Sequence, residues 1–391
     1  LASWELITVR PDDQVGEALV LMQRHGVHRV VVQDDGKILG LLESLDLFGF
    51  LSNHSMLIDR RLRAATDLDA LARAAGQMND MIRRQYRGGT RVELLARLVQ
   101  DLNGRLFEQA WKLIAPSELV QNSCLLVMGS EGRGEQLLKT DQDNALLLRD
   151  GYVPPDDLPA ICARFSEALA RFGYPPCPGD VMLSNATWRG TVQDFARRVR
   201  KWLVLPEADS LINLAVFMDA HAVCGDAELL ASLRRQVFGM LADDDAMMSR
   251  FAAVVDAFGD GTRWWRRMLG GGEANLNVKK AGMFPLVHGV RSMALAERID
   301  ATSTEARIRA LQEVGALDAE TAQELTESLH FFMGLRLKAG LDEMDRGRPV
   351  SGKVDLAGLT PLERDLLKDA LAAVRRFRAQ LRLRFRLGAV S

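Results

Sequence analysis

The reading of this chain turns on Cys124-Leu125-Leu126-Val127-Met128-Gly129-Ser130 and, after a charged loop, Thr140-Asp141-Gln142-Asp143-Asn144-Ala145-Leu146-Leu147-Leu148. Its two apolar runs have strand length, so each reads as a buried strand. The first stops at Gly129-Ser130, and eleven residues after the serine an Asp-x-Asp opens the second. Alternate residues of a strand share a face, so Asp141 and Asp143 can converge on one site. Two neighbouring carboxylates repel, and a divalent cation removes that cost most simply. Mg²⁺ prefers oxygen ligands and commonly takes one or two carboxylates with substrate phosphates; Mn²⁺ suits the same donors. Two such ions, about 3.5–4 Å apart, clamp the entering and leaving oxygens of a phosphoryl displacement. Gly129 lets backbone approach a phosphate without a Cβ in the way. Ser130 adds a hydroxyl, and N–H groups after the turn favour an anion. Arg133 or Lys139 could neutralise a leaving pyrophosphate.

Other phosphate and metal motifs fail at the same place. A Walker A loop needs Lys after its second Gly, but Gly134 is followed by Glu135. A dinucleotide fingerprint needs Gly where Leu137 stands. An EF-hand starting at Asp141 needs a ligand and a Gly where Ala145 and Leu146 stand. Nor does any Ser-His-Asp or Cys-His spacing emerge.

Working outward, 391 residues with 48% apolar content predict two or three domains. A formal net charge of -2 from 50 basic and 52 acidic residues argues against a nucleic-acid partner or a polybasic anchor. No apolar run reaches the roughly 20 residues that span a bilayer. Cys124, Cys162, Cys177 and Cys224 are scattered without CxxC spacing. A soluble, cytoplasmic protein is expected. The opening Leu1-Ala2-Ser3-Trp4 lacks Met and suggests a piece of something longer.

Residues 5–50 alternate strand and helix cues. Leu6-Ile7-Thr8-Val9 is β-rich, a helix carrying Val15, Ala18, Leu19 and Met22 ends at Gly26, and Val30-Val31-Val32 follows. Asp34-Asp35-Gly36-Lys37 is a hairpin turn leading into Ile38–Leu42, and Asp46 starts another helix. This β-α-β-β-α order resembles one CBS motif, a module that usually works in pairs binding adenosine nucleotides. The resemblance implies an adenine nucleotide ligand and a homodimer. The family's ribose-binding Ser/Thr falls at Glu43 if Asp46 is its Asp, a departure from the pattern, and the alternative reading is a β-α-β-β-α packing module.

Residues 56–118 read as helices broken at Gly88-Gly89, and they serve as a connector. Beyond 240, helical runs cover about 245–268, 283–298, 303–314, 318–340 and 361–387, with loops at Gly270-Gly271-Gly272 and Arg346–Pro349. The last helix carries Arg375, Arg376, Arg378, Arg382, Arg384 and Arg386, which read as a solvated face beside the apolar stripe of Val374, Phe377 and Leu381.

Gly129-Ser130 with Asp141-x-Asp143 resembles the signature of the DNA polymerase β-type nucleotidyltransferases. Gly129-Ser130-Glu131-Gly132-Arg133-Gly134-Glu135 is similar to the branch containing the PII uridylyltransferases. Thr140–Ala145 resembles a narrower bacterial group with CBS domains ahead of the catalytic domain and a helical substrate-binding domain behind it. The implied fold is multi-domain α/β plus all-α. A CBS motif covers 1–55, a helical linker 56–118, a mixed-sheet nucleotidyltransferase domain 119–238 and a helical domain 239–391. The resemblance implies a third carboxylate from a later strand. Asp180, after Gly173–Gly179 and before the expected strand Val181-Met182-Leu183, is the candidate ligand, with Asp219 as its rival. His221 stands where the group often has Arg. Ser184-Asn185 and Trp188-Arg189 line an acceptor cleft or belong to the core, and Lys279-Lys280 approach a triphosphate or are solvated.

The implied reaction moves a nucleoside monophosphate from a nucleoside triphosphate to a hydroxyl, a protein side chain by family resemblance. Asp141, Asp143 and Asp180 would hold Mg²⁺ or Mn²⁺, and Gly129, Ser130, Arg133 and Lys139 the triphosphate. Two rivals are a nucleotide-sensing module without turnover and an RNA-directed transferase; a near-neutral chain without a basic, aromatic surface weighs against the latter.

Overall fold

Strand β4 (Ser123–Val127) and strand β5 (Asn144–Leu148) are buried at every position and pair antiparallel, Val127 opposite Asn144 and Ser123 opposite Leu148. Such strands lack polar alternation because both faces are covered. In this computed structural model, which describes residues 6–13, 15–204, 208–241, 245–257 and 275–387, they form the centre of a mixed four-stranded sheet. Strand β6 (Arg189–Thr191) runs parallel to β5, and strand β7 (His221–Gly225) runs antiparallel to the other edge of β4. The order is β6-β5-β4-β7.

Ahead of it lies a small three-stranded sheet. Strand β1 (Thr8–Val9) is parallel to strand β2 (Arg29–Asp34), which pairs antiparallel with strand β3 (Lys37–Glu43). Asp35 and Gly36 have φ of 43° and 80°, the left-handed pair that an Asp-Gly hairpin demands. Helix α1 (Val15–His25) connects β1 to β2, and Val9, Ala18, Met22, Val30 and Leu47 form a separate small core. Glu43 pairs with Arg29 across the hairpin at 2.8 Å. Helix α2 (Ser44–Ala64) runs without a break through position 55, where the first domain was expected to end.

Helices α3 (Leu68–Arg87) and α4 (Val92–Ile114) are split at Gly88-Gly89 as expected. They do more than connect. Leu95, Val99, Leu102, Leu106, Phe107 and Trp111 make a buried stripe on α4, continuous with the core around β4 and β5. Trp111 meets Phe165 of helix α7 (Leu158–Arg171) edge-on, ring centroids 5.4 Å apart. Short helices α5 (Ser117–Gln121) and α6 (Gly129–Gly132) flank β4. Helix α8 (Val192–Val204), α9 (Ala208–Phe217) and α10 (Ala227–Leu241) follow, α8 and α10 packing together and onto β5. Trp188 is core, tilted against Trp202 at 5.7 Å.

The remainder is helical: α11 (Asp245–Ala257), α12 (Phe284–Ala296), α13 (Thr304–Glu313), α14 (Ala319–Asp345) and α15 (Pro361–Arg384), with a two-residue pairing of β8 (Asn275–Leu276) and β9 (Val354–Asp355). Thr360 and Glu363 form a reciprocal capping box at the start of α15. The expected end of the 245–268 helix and Gly270-Gly271-Gly272 lie outside the described residues. The basic face of α15 is paired, not merely solvated. Arg378 and Arg382 share Asp256 at 2.9 Å, Arg376 meets Glu324 at 2.7 Å and Arg384 meets Glu297. The expected strand Val181–Leu183 is a turn, because Asn144 holds this segment by single bonds: its N–H donates to Val181 O and its side chain accepts from Leu183 N.

Candidate active site

The site forms where β4 leaves the sheet. Met128 is extended, its N–H donating to Asp143 O at 2.9 Å, and Gly129 then turns left-handed with φ 57°. A Cβ on Gly129 would lie 2.5 Å from Asp143 Oδ2, so only glycine lets the turn press against that carboxylate. Side chains alternate as strand geometry requires. Gln142 and Asn144 are buried, Asn144 Nδ2 donating to Gln142 Oε1 and Gln142 Nε2 donating to Tyr174 O, while Asp141 and Asp143 share the other side.

A third donor joins them. The ligand atoms of Asp141, Asp143 and Cys177 lie within 4.8 Å of one another. Cys177 arrives because Gln142 N donates to Pro175 O at 3.1 Å and pairs with Pro176, laying residues 175–177 along the strand. Burial, with the charge of Asp141 adding to it, pushes the Asp143 carboxyl up to about 6, against the Cys177 hydrogen bond and the positive charges of Lys279 and Arg133. Burial and Asp143 push the Cys177 thiol up to about 11. A half-buried pair of carboxylates that repel, with a thiol beside them, is a donor set short of positive charge. These residues fit a divalent cation.

Asp180, the third carboxylate that the resemblance implies, stands outside this group. It closes the Cys177–Asp180 turn with φ 55°, is exposed, and accepts from Asn185 Nδ2 at 2.9 Å. Lys139 also points elsewhere. Its ammonium donates to Ala75 O and Phe172 O, both at 2.7 Å, and burial pushes it down to about 8. Arg133 is engaged too, with Glu135 and Asp219 at 2.6 Å each. Ser130 stays at the turn, its hydroxyl donating to Gln136 Oε1 at 2.9 Å. Lys279 is exposed, and its charge reaches Asp143.

Asp219, the rival, has a different position. It is fully buried and accepts from Arg133, Arg291 of α12 and Arg307 of α13. Burial alone would raise its carboxyl, but Arg291, Arg133 and Arg307 hold it well below the usual carboxylate range. Gly132 packs on this hub, since a Cβ there would sit 2.1 Å from Asp219 O. Glu135 accepts from Thr304 N at the start of α13 at 3.0 Å. Beneath the turn, Glu131 accepts from Asn103 Nδ2 at 2.9 Å, and burial pushes it up to about 8.

Sequence reading missed Cys177, Arg291 and Arg307. A cysteine between prolines and arginines on amphipathic helices carry no local mark of what they meet. A cavity of about 620 Å³ opens between α2, α4 and β7 beside Glu131 and His221. It touches neither Asp141 nor Asp143, and the chemistry of the carboxylate pair outweighs its size.

Comparison with known proteins agrees with this architecture. A family profile described as "Putative nucleotidyltransferase DUF294" matches residues 76–209. A second, "Putative nucleotidyltransferase substrate binding domain", matches residues 245–385, and a CBS domain profile matches residues 1–53. No curated protein matches the chain. These three profiles, in this order around a mixed sheet, give the chain the architecture of a CBS domain ahead of a domain matching the DUF294 nucleotidyltransferase profile and a C-terminal helical domain matching its substrate-binding partner.

Proposed function

We propose that this protein transfers a nucleoside monophosphate from a nucleoside triphosphate to a hydroxyl on a protein acceptor, as an adenylyl- or uridylyltransferase does. The acceptor oxygen bonds to the α-phosphorus and the bond to the β-phosphate bridging oxygen breaks. The electron pair leaves on pyrophosphate, and the hydroxyl proton is released to water. The observation that carries this reading is the convergence of Asp141 and Asp143 against the Gly129 turn. Asp141 and Asp143 would hold Mg²⁺ or Mn²⁺ through their carboxylate oxygens, with the Cys177 thiol beside them as a donor suited to a softer ion, and the bound ion would supply charge neutralisation for the phosphates. Gly129 presents backbone to the triphosphate, and Ser130 offers its hydroxyl once Gln136 yields it. Arg133 acts at one remove by holding the Gly-Ser turn through Asp219. The CBS module regulates, with an adenine nucleotide as its ligand and pairing in a homodimer as its working form.

Mass spectrometry of a lysate incubated with the protein and each triphosphate tests this. A single polypeptide should gain one nucleotide mass, and Asp141→Asn should lower that labelling at least about 10²-fold. Unchanged labelling by Asp141→Asn would remove the basis of the reading.

A further inference from the structure

Helix α14 of the substrate-binding domain crosses onto the nucleotidyltransferase domain, where Gly340 lies so close to Leu138 that a Cβ would stand 2.4 Å from Leu138 Cδ1. Just before it, Arg336 enters a small cavity lined by Ser130, Gln136 and Thr140 from one domain and Met333 and Gly352 from the other. The guanidinium is buried and its Nε has no hydrogen-bond partner. Its Nη1 contacts only a weak acceptor, the Met283 sulfur at 3.6 Å. The buried arginines nearby, Arg133, Arg291 and Arg307, all rest on Asp219; Arg336 has no carboxylate partner among the described residues. Burial depresses its proton affinity, and the charges it feels most are Asp141 in its favour and Arg133 against.

An unpaired buried guanidinium is costly unless something fills its donors. The cavity, about 30 Å³, has room for about one water-sized group. A phosphate oxygen entering past Ser130 fits that space; a nucleobase does not. We infer that Arg336 is a triphosphate-binding residue: its guanidinium receives the β/γ-phosphate oxygens of a nucleotide seated at Gly129-Ser130, so that the substrate-binding domain completes the nucleotide site. This rests on the nucleotidyltransferase reading above. Arg336 neutralises the pyrophosphate end and takes no part in bond making, and the planar fork of arginine matches two phosphate oxygens at once.

The test is calorimetric titration of the full chain with Mg²⁺ and three probes: a non-hydrolysable α,β-methylene triphosphate, inorganic pyrophosphate and a nucleoside monophosphate. Arg336→Met, which keeps the apolar contact with Met283, should weaken the triphosphate and pyrophosphate about 10- to 100-fold and leave the monophosphate within about twofold. Arg336→Lys should fall between, because it keeps charge without the fork. The thermal midpoint of Arg336→Met should not drop, since the variant removes an unsatisfied donor. Equal loss for all three probes, or none, overturns the assignment while wild-type binding and labelling leave the parent reading intact. Wild type that binds neither triphosphate nor pyrophosphate overturns both.

Discussion

Asp219→Asn removes one charge from the most densely bonded buried group near the site, and its consequence can be worked through. Asp219 accepts four side-chain hydrogen bonds from Arg133, Arg291 and Arg307. Asn preserves volume but replaces one acceptor oxygen with an amide that points N–H at guanidinium N–H. The two bonds on that oxygen are lost, Arg291 and Arg307 lose the counter-charge that Asp219 gives them, and Arg133 keeps Glu135. Breaking a buried ion pair on one side costs about 3–5 kcal/mol, so Asp219→Asn should destabilise by that amount in urea unfolding followed by tryptophan fluorescence. The exposed Asp180→Asn should stay within about 0.5 kcal/mol. The pH dependence has a definite sign. The folded Asp219 carboxyl lies below its unfolded value of about 3.9, so its contribution is complete above that value and fades as pH falls toward the folded one. Wild type should therefore lose stability in acid faster than Asp219→Asn, and the two should converge there. An Asp219→Asn protein within about 1 kcal/mol of wild type at pH 7 would refute the hub.

Glu131→Gln tests the opposite sign. Burial raises the folded carboxyl to about 8, above its unfolded value of about 4.3, so the stability it allows is present in acid and lost as pH climbs toward 8. The glutamine variant, which can still accept from Asn103, should have a flatter pH profile and exceed wild type at pH 8.5; parallel profiles would count against it. Cys177→Ser should leave Mg²⁺-supported labelling within a few-fold and weaken Zn²⁺ binding about 10-fold, because a thiol is the softer donor; competition titration of Zn²⁺ reads this directly.

Which parts were legible follows from where each signal resides. Strands β4 and β5 announce themselves as apolar runs ending in Gly-Ser and beginning after Asp-x-Asp, a local pattern that needs no tertiary information. The Asp35-Gly36 turn is equally local. The order β6-β5-β4-β7 is not, since β6 and β7 are short and find β5 and β4 across long stretches of chain. The same limit explains Asp180: an acidic residue after a glycine before three apolar residues looks like a strand entry, yet Asn144 pins that segment as a turn and Cys177 reaches the carboxylates instead. The linker expectation failed on packing. A helical stripe at 92–111 shows that α4 buries a face, but only the fold reveals that the face belongs to the core of the four-stranded sheet.

The arrangement around Gly129 and Ser130 explains why the helical domain sits against the nucleotidyltransferase domain rather than beside it. The Gly-Ser turn has four residues of its own helix, too few for independent stability. It is held from below by Glu131 on Asn103 and from the far side by Arg133 on Asp219. Asp219 is itself clasped by α12 and α13, and Glu135 accepts from the first turn of α13. A shift of those helices cannot occur without moving the group three residues from Ser130. An apolar core already runs through both domains, and the buried charges add directional bonds to it at a desolvation cost. Charges with fixed donor directions specify one register, and register is what the proposed presentation of backbone to a phosphate at this turn requires.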